Sequence, residues 1–198
     1  MVWCSCPENT LWAVDLRPSR LAGVPSSSLT AVVRHAVEAD ATEIARICST
    51  AYRNAYRDLL PPEYIERSVS AFYNEPRVAR EIEPVLPDWF GYQVVEEDGR
   101  VLGAAGGGMA GPDAGEVSLI YLESAERGRG LGTLLLDRVT DQIRAAGGTE
   151  MWVSVFLGDR NGIGFYRSRG FEPVSTVRAA MSRVDDHISS LRMRRPIA

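Results

Sequence analysis

The stretch Glu126-Arg-Gly-Arg-Gly-Leu-Gly-Thr133 most constrains what this chain can become, because it sets glycines at 128, 130 and 132 between two apolar segments of different period. Before it, "EVSLIYLE" reads as a strand apolar enough to be central to a sheet. After it, Leu131, Leu135, Leu136, Val139, Ile143 and Ala146 fall on one helical stripe, and Gly147-Gly148 stops the helix. A strand, a glycine loop and a helix N-terminus together present free backbone N–H groups and the positive end of a helix dipole, so an anion is the expected visitor. Two nucleotide patterns fail on spacing. A P-loop requires a lysine, and none follows these glycines; a dinucleotide fingerprint requires a third glycine where Thr133 stands.

Around this loop the periodicity alternates. "AVVRHAV" from Ala31 reads as a first strand, and Asp40 with Glu43 three residues on reads as a helix N-cap. The helix that follows packs Ile44, Ile47, Cys48, Ala51, Tyr52 and Ala55 on one face and turns Arg46, Arg53 and Asn54 to water. Leu59-Leu60-Pro61-Pro62 breaks it, "PEYIERSVSAFY" is a second helix, and prolines 76, 84 and 87 mark an irregular crossing. Asp98-Gly99 is a strong hairpin signal between two β-prone arms. The Gly106-Gly107-Gly108 run in the second arm indicates either a bulge or close approach of another group, or else an irregular strand end. "EMWVSVFLG" is a buried-type strand, "NGIGFYRSRGF" a short helix capped by Gly170, and "EPVSTVRAAM" and "HISSLRMRRPI" are closing strands. The class is α/β or α+β around one mostly antiparallel sheet.

The 198 residues suffice for one filled core, so one domain is expected. With 22 basic against 26 acidic residues, a formal charge of −4 and no long run of like charge, a nucleic-acid partner has little electrostatic support. Three cysteines, Cys4, Cys6 and Cys48, are an odd number in a chain large enough to fold without staples. Free thiols, a reducing compartment and hence the cytoplasm are expected. Only His35 and His187 exist to complete a metal site with Cys4 and Cys6, and neither has ligand spacing, so no metal is expected. No stretch approaches the ~20 apolar residues of a membrane helix, and the start lacks a signal pattern. Residues 1–29, with Trp3, Trp12 and Ser26–Ser28, show no sustained period and are expected to be an extension outside a domain spanning 31–198.

Arg127-x-x-Gly130-x-Gly132 resembles the pyrophosphate loop of the GCN5-related N-acetyltransferase (GNAT) superfamily, written Gln/Arg-x-x-Gly-x-Gly/Ala. "GFYRSRGFEPV" resembles the family's second signature, "VVRHAVEADATEIARICSTAYRNAYRDLLPPEYI" its first strand and helix pair, and "LRMRRPI" its closing strand; the resemblance covers residues 31–198. It implies an α/β (α+β) fold: a mixed, mostly antiparallel sheet flanked by helices, whose fourth and fifth strands, "EVSLIYL" and "EMWVSVF", splay apart. It also implies acetyl-CoA as co-substrate. Main-chain groups of Arg127, Gly128, Arg129, Gly130, Leu131, Gly132 and Thr133 would take the pyrophosphate, and those of Ile120, Tyr121 and Leu122 the pantetheine arm. The family commonly has an asparagine seven residues before the tyrosine of the second signature; here that position is Asp159, with Asn161 two residues late, and either could contact the cofactor.

The chemistry implied is direct attack of a primary amine on the acetyl thioester. An alkylamine of pKa near ~10 is mostly protonated at neutral pH, so a base must take a proton and the departing thiolate benefits from an acid. Tyr166 matches the family's acid, or is a buried aromatic on the core face of its helix; Glu116 matches a base found in several members, or is a solvated strand-end charge. Glu123, at the other end of that strand, is the weaker candidate. The acceptor would enter past Tyr52, Tyr56 and Asp58 and past Asp185, Asp186 and His187, and these carboxylates would suit a cationic amine. A small-molecule amine leads over a protein N-terminus or lysine. A CoA-binding regulatory module without transfer chemistry, and a plain interaction domain, are the readings from other classes. A second copy of the chain is a candidate partner; nucleic acid and membrane are not.

Overall fold

The computed structural model describes residues 31–197, so the expectations for residues 1–29, including Cys4 and Cys6, lie outside the described residues. Its centre is a seven-stranded sheet in the order β1-β2-β3-β4-β5-β7-β6, formed by β1 (Val32–His35), β2 (Gln93–Glu97), β3 (Arg100–Met109), β4 (Ala114–Leu122), β5 (Glu150–Phe156), β6 (Glu172–Arg178) and β7 (Ser189–Pro196). All neighbours are antiparallel except β4 and β5. The expected mixed, mostly antiparallel sheet is present. β4 begins two residues earlier than the apolar run indicated, which makes Glu116 its third residue.

Helices cover both faces. On one lie α1 (Ala41–Tyr56), α2 (Pro62–Phe72) and α3 (Glu75–Ile82); on the other lie α4 (Leu131–Ala145) and α5 (Arg160–Arg167). α1 buries Ile44, Ile47, Cys48, Ala51 and Tyr52 as its period predicted, while Ala55 is exposed. α4 buries Leu131, Leu135, Leu136, Val139 and Ile143, and each large aliphatic side chain so removed from water contributes about 1.5–3 kcal/mol before the entropy of ordering is counted. Two expectations are corrected here. The segment after α2 is irregular only in its second half, which carries Pro84 and Pro87: before it, α3 forms because Pro76 occupies its first turn, where no N–H is needed, and Asn74 accepts the Arg77 N–H at 2.9 Å as its cap. Asp40 does not cap α1. Its carboxylate takes the Val37 N–H at 2.8 Å and the guanidinium of Arg34 at 2.6 and 3.0 Å, outbidding the helix end.

The glycine run in β3 explains how the sheet opens. In the β3–β4 pairing Gly106 faces Leu119 but Gly107 faces Val117, so Ser118 is an extra residue, a β-bulge. Trp89 presses against Gly106, where a Cβ would meet its ring at 2.2 Å, so only glycine fits. Val117 is also the last residue of β4 paired with β5, opposite Val153. The bulge therefore sits where the strands part. From Ser118 to Leu122 on β4, and from Ser154 onward on β5, the two edges face a gap.

Candidate active site

The gap between β4 and β5 is the head of a cavity of about 510 Å³. β4 lines it from Val117 to Leu122, β5 from Val153 to Val155, the glycine loop and the start of α4 close one end, and α5 and Tyr56 of α1 supply further walls. Because β4 has a partner only on its β3 side beyond Val117, it offers ladder N–H and C=O groups to whatever enters. No particular side chain is needed for that.

The loop end is rich in backbone donors that no protein group among the described residues takes up. Gly128 and Gly130 have φ of 81° and 82°, the left-handed region that favours glycine, and Gly130 forms the N-cap of α4. The Glu126 N–H is satisfied by the Glu123 carbonyl at 3.0 Å, and backbone pairing resumes with the Thr133 N–H on the Gly130 carbonyl at 2.9 Å. Between them, among the described residues, the N–H groups of residues 127–132 meet no protein acceptor. Together with the positive end of a fifteen-residue helix they form a concave fan of donors. Arg127, Gly128, Gly130, Leu131, Gly132 and Thr133 all line the cavity. Arg129 does not: its guanidinium is drawn away to Glu97, at 2.7 and 2.9 Å, and to Glu126.

At the other wall, Asp159 caps α5, its Oδ1 accepting the Gly162 N–H at 2.9 Å, and it lines the cavity together with Asn161. Tyr166, two turns along α5, is 8% exposed and lines the cavity while its ring packs edge-on against Phe165 and Phe171 at 5.0 and 5.2 Å. It is thus both a core aromatic and a cavity residue. Burial, reinforced by Tyr56 and Asp159, pushes its hydroxyl above the usual phenol range, so it holds its proton throughout physiological pH. Tyr56, pushed up to about 12 chiefly by burial, behaves likewise.

The remaining sequence candidates are distributed unevenly. Tyr52 is buried beneath the cavity, edge-on to Tyr56 at 4.7 Å and packed with Tyr73, Tyr121 and Phe156. Glu116 does not line the cavity: it lies on the closed side of the bulge, ion-paired with Arg192, which also donates to Ser154 Oγ at 3.1 Å. Glu123 is tied to Arg46. Asp58 is exposed and away from the cavity, as is Asp185. Asp186 is engaged by Arg67 at 2.6 Å, and His187 is exposed with a φ of 49°. The cluster of acids expected around the acceptor is therefore not gathered at this cavity; Asp159 is the one carboxylate among its described lining residues. Ser118 and Ser154 also line it and carried no sequence signal; Phe165 and Arg169 line it too and lie within the signature stretch "GFYRSRGFEPV", which assigned neither of them a role.

The sequence pattern of the Acetyltransferase (GNAT) family matches residues 49–171. Among solved structures, the PaiA N-acetyltransferase of Thermoplasma acidophilum in complex with coenzyme A superposes with a TM-score of 0.70 at 16% identity, over 84% of this chain and 99% of that one. A ribosomal-protein-alanine N-acetyltransferase from Brucella melitensis gives 0.57 at 25% identity, over 83% and 99%. YncA of Salmonella typhimurium, a putative acetyltransferase with its cofactor acetyl-CoA, gives 0.58 at 20%, over 85% and 95%. A comparison with curated protein sequences finds no match.

Proposed function

This chain belongs to the acetyltransferase (GNAT) family, and on that premise we propose that it transfers an acetyl group from acetyl-CoA to a primary amine by direct attack. The observation that carries the proposal is the continuity of one cavity: a gap with free strand edges leads from Tyr166 to a fan of unbonded N–H groups at the N-terminus of α4. A long ligand, apolar-amide in the middle and polyanionic at one end, fits such a channel, and coenzyme A has that make-up. When bound, acetyl-CoA supplies the acyl thioester. The loop N–H groups and Arg127 hold its diphosphate, the open edge of Ile120–Leu122 pairs with the arm, and Asp159 or Asn161 meets an arm amide.

Tyr166 keeps its proton until the C–S bond breaks and then gives it to the departing sulfur. The amine proton goes to Glu116 through water, because Glu116 stands outside the cavity wall yet is one third exposed. Ser118 and Ser154, where the strands diverge, and Tyr56 opposite give the acceptor a neutral, half-aromatic seat. That environment suits a small amine with an apolar body better than the strongly cationic one the loop acids suggested. A second reading, transfer to a protein N-terminal amine, draws on the likeness to the Brucella ribosomal-protein-alanine N-acetyltransferase.

The test is sequential. Acetyl-CoA should raise the melting temperature, since a ligand that binds only the folded state stabilises it by mass action. Thiol release is then followed across a panel of small amines and N-terminal peptides. No thermal shift overturns the coenzyme reading; a shift with no turnover on any amine favours a regulatory module.

A further inference from the structure

Two arginines line the cavity, Arg127 and Arg169, and only the first belongs to the glycine loop. Arg169 follows α5. Its guanidinium lies 3.8 Å from the centroid of the Phe165 ring and donates to Thr133 Oγ1, through Nε at 3.2 Å, and to the Phe165 carbonyl and Ser168 Oγ, at 3.0 and 2.8 Å. Every one of these partners is neutral. Among the described residues no carboxylate balances Arg169, in contrast to Arg129, which is paired with Glu97 and Glu126 on the far side of the same loop. The Phe165 ring in turn rests on Gly132, where a Cβ would meet it at 3.2 Å. Arg169 is therefore a positive charge held in one orientation against the first turn of α4, beside the N–H fan but on its α5 side. Fixing a guanidinium with neutral bonds keeps its charge available while removing the entropy that binding an anion would otherwise cost.

We infer that Arg169 recognises the ribose 3′-phosphate of coenzyme A and so makes this chain select acetyl-CoA over acetyl-3′-dephospho-CoA. The inference rests on the coenzyme A reading above. The loop N–H groups and Arg127 account for the diphosphate, which leaves the phosphate monoester as the ligand's other anion and Arg169 as the cavity's other unbalanced cation.

Calorimetric titration of the whole chain with each donor tests it. The unaltered protein should bind acetyl-CoA roughly tenfold to a hundredfold more tightly than acetyl-3′-dephospho-CoA, the range of a charge-assisted hydrogen-bonded contact. Arg169→Gln should lower acetyl-CoA affinity to the dephospho level and leave the dephospho affinity unchanged; Arg169→Lys, which keeps the charge but not the fork, should retain part of the preference. Equal binding of both donors by the unaltered protein overturns the inference without any variant. A parallel loss for both donors in Arg169→Gln also overturns it, since that pattern marks a group that only positions Phe165 or touches the diphosphate. Failure of the unaltered protein to bind either donor instead removes the coenzyme A reading itself.

Discussion

Arg192 joins Glu116 to Ser154: its guanidinium pairs with the carboxylate and donates to the serine hydroxyl at 3.1 Å, coupling a charge on the closed side of the β4 bulge to a residue of the cavity wall. A base placed behind the wall acts through solvent. Glu116→Gln should leave acetyl-CoA affinity unchanged and lower kcat/KM, with the deficit largest near neutral pH and shrinking as pH rises, because more of the amine then arrives unprotonated. A pH profile of both proteins with the best amine checks this; equal rates throughout would make Glu116 a structural partner of Arg192.

Tyr166→Phe preserves the ring contacts to Phe165 and Phe171 and removes only the proton. Turnover should fall by ~10²–10⁴, the usual contribution of general acid catalysis, while calorimetry shows near-normal acetyl-CoA binding. Full turnover in a single-turnover experiment would assign the thiolate's proton to water.

Gly130→Ala isolates backbone conformation, since a Cβ there touches nothing within 4 Å yet the residue holds a φ of 82°. Strain of about 1–3 kcal/mol is expected in denaturant unfolding, together with weaker acetyl-CoA binding as the N–H fan relaxes. Unchanged affinity in a folded variant would detach the loop from the diphosphate.

Asp40→Asn tests the anchor of α1. Arg34 chiefly, helped by the Val37 N–H, holds the Asp40 carboxyl below its usual pKa. A depressed folded pKa means that the stabilisation is whole above the unfolded value near ~3.9 and disappears as pH falls through the folded one. The variant should lose about 1–3 kcal/mol at neutral pH, and the gap to the unaltered protein should narrow on acidification, as measured by urea unfolding at several pH values.

Much was legible in the residues alone, for a local reason in each case. The α1 and α4 stripes, the Asp98-Gly99 hairpin, with φ of 51° and 74°, and the helix start at Gly130 depend on period and backbone freedom, which neighbouring residues carry. The glycine run in β3 left a bulge, a close approach and an irregular strand end open; the structure shows the close approach, of Trp89 to Gly106, and puts the bulge on β4, at Ser118. Tertiary structure decided which partner each polar group took. Asp40 chose Arg34 over a helix end, Arg129 chose Glu97 over the cavity, Glu116 chose Arg192, and the Arg169 guanidinium took only neutral acceptors. Except for Arg34 and Asp40, six residues apart, the ion pairs among these join strands and loops tens of residues distant, and a charge follows the nearest opposite charge in space; its place in the sequence carries no record of that neighbour.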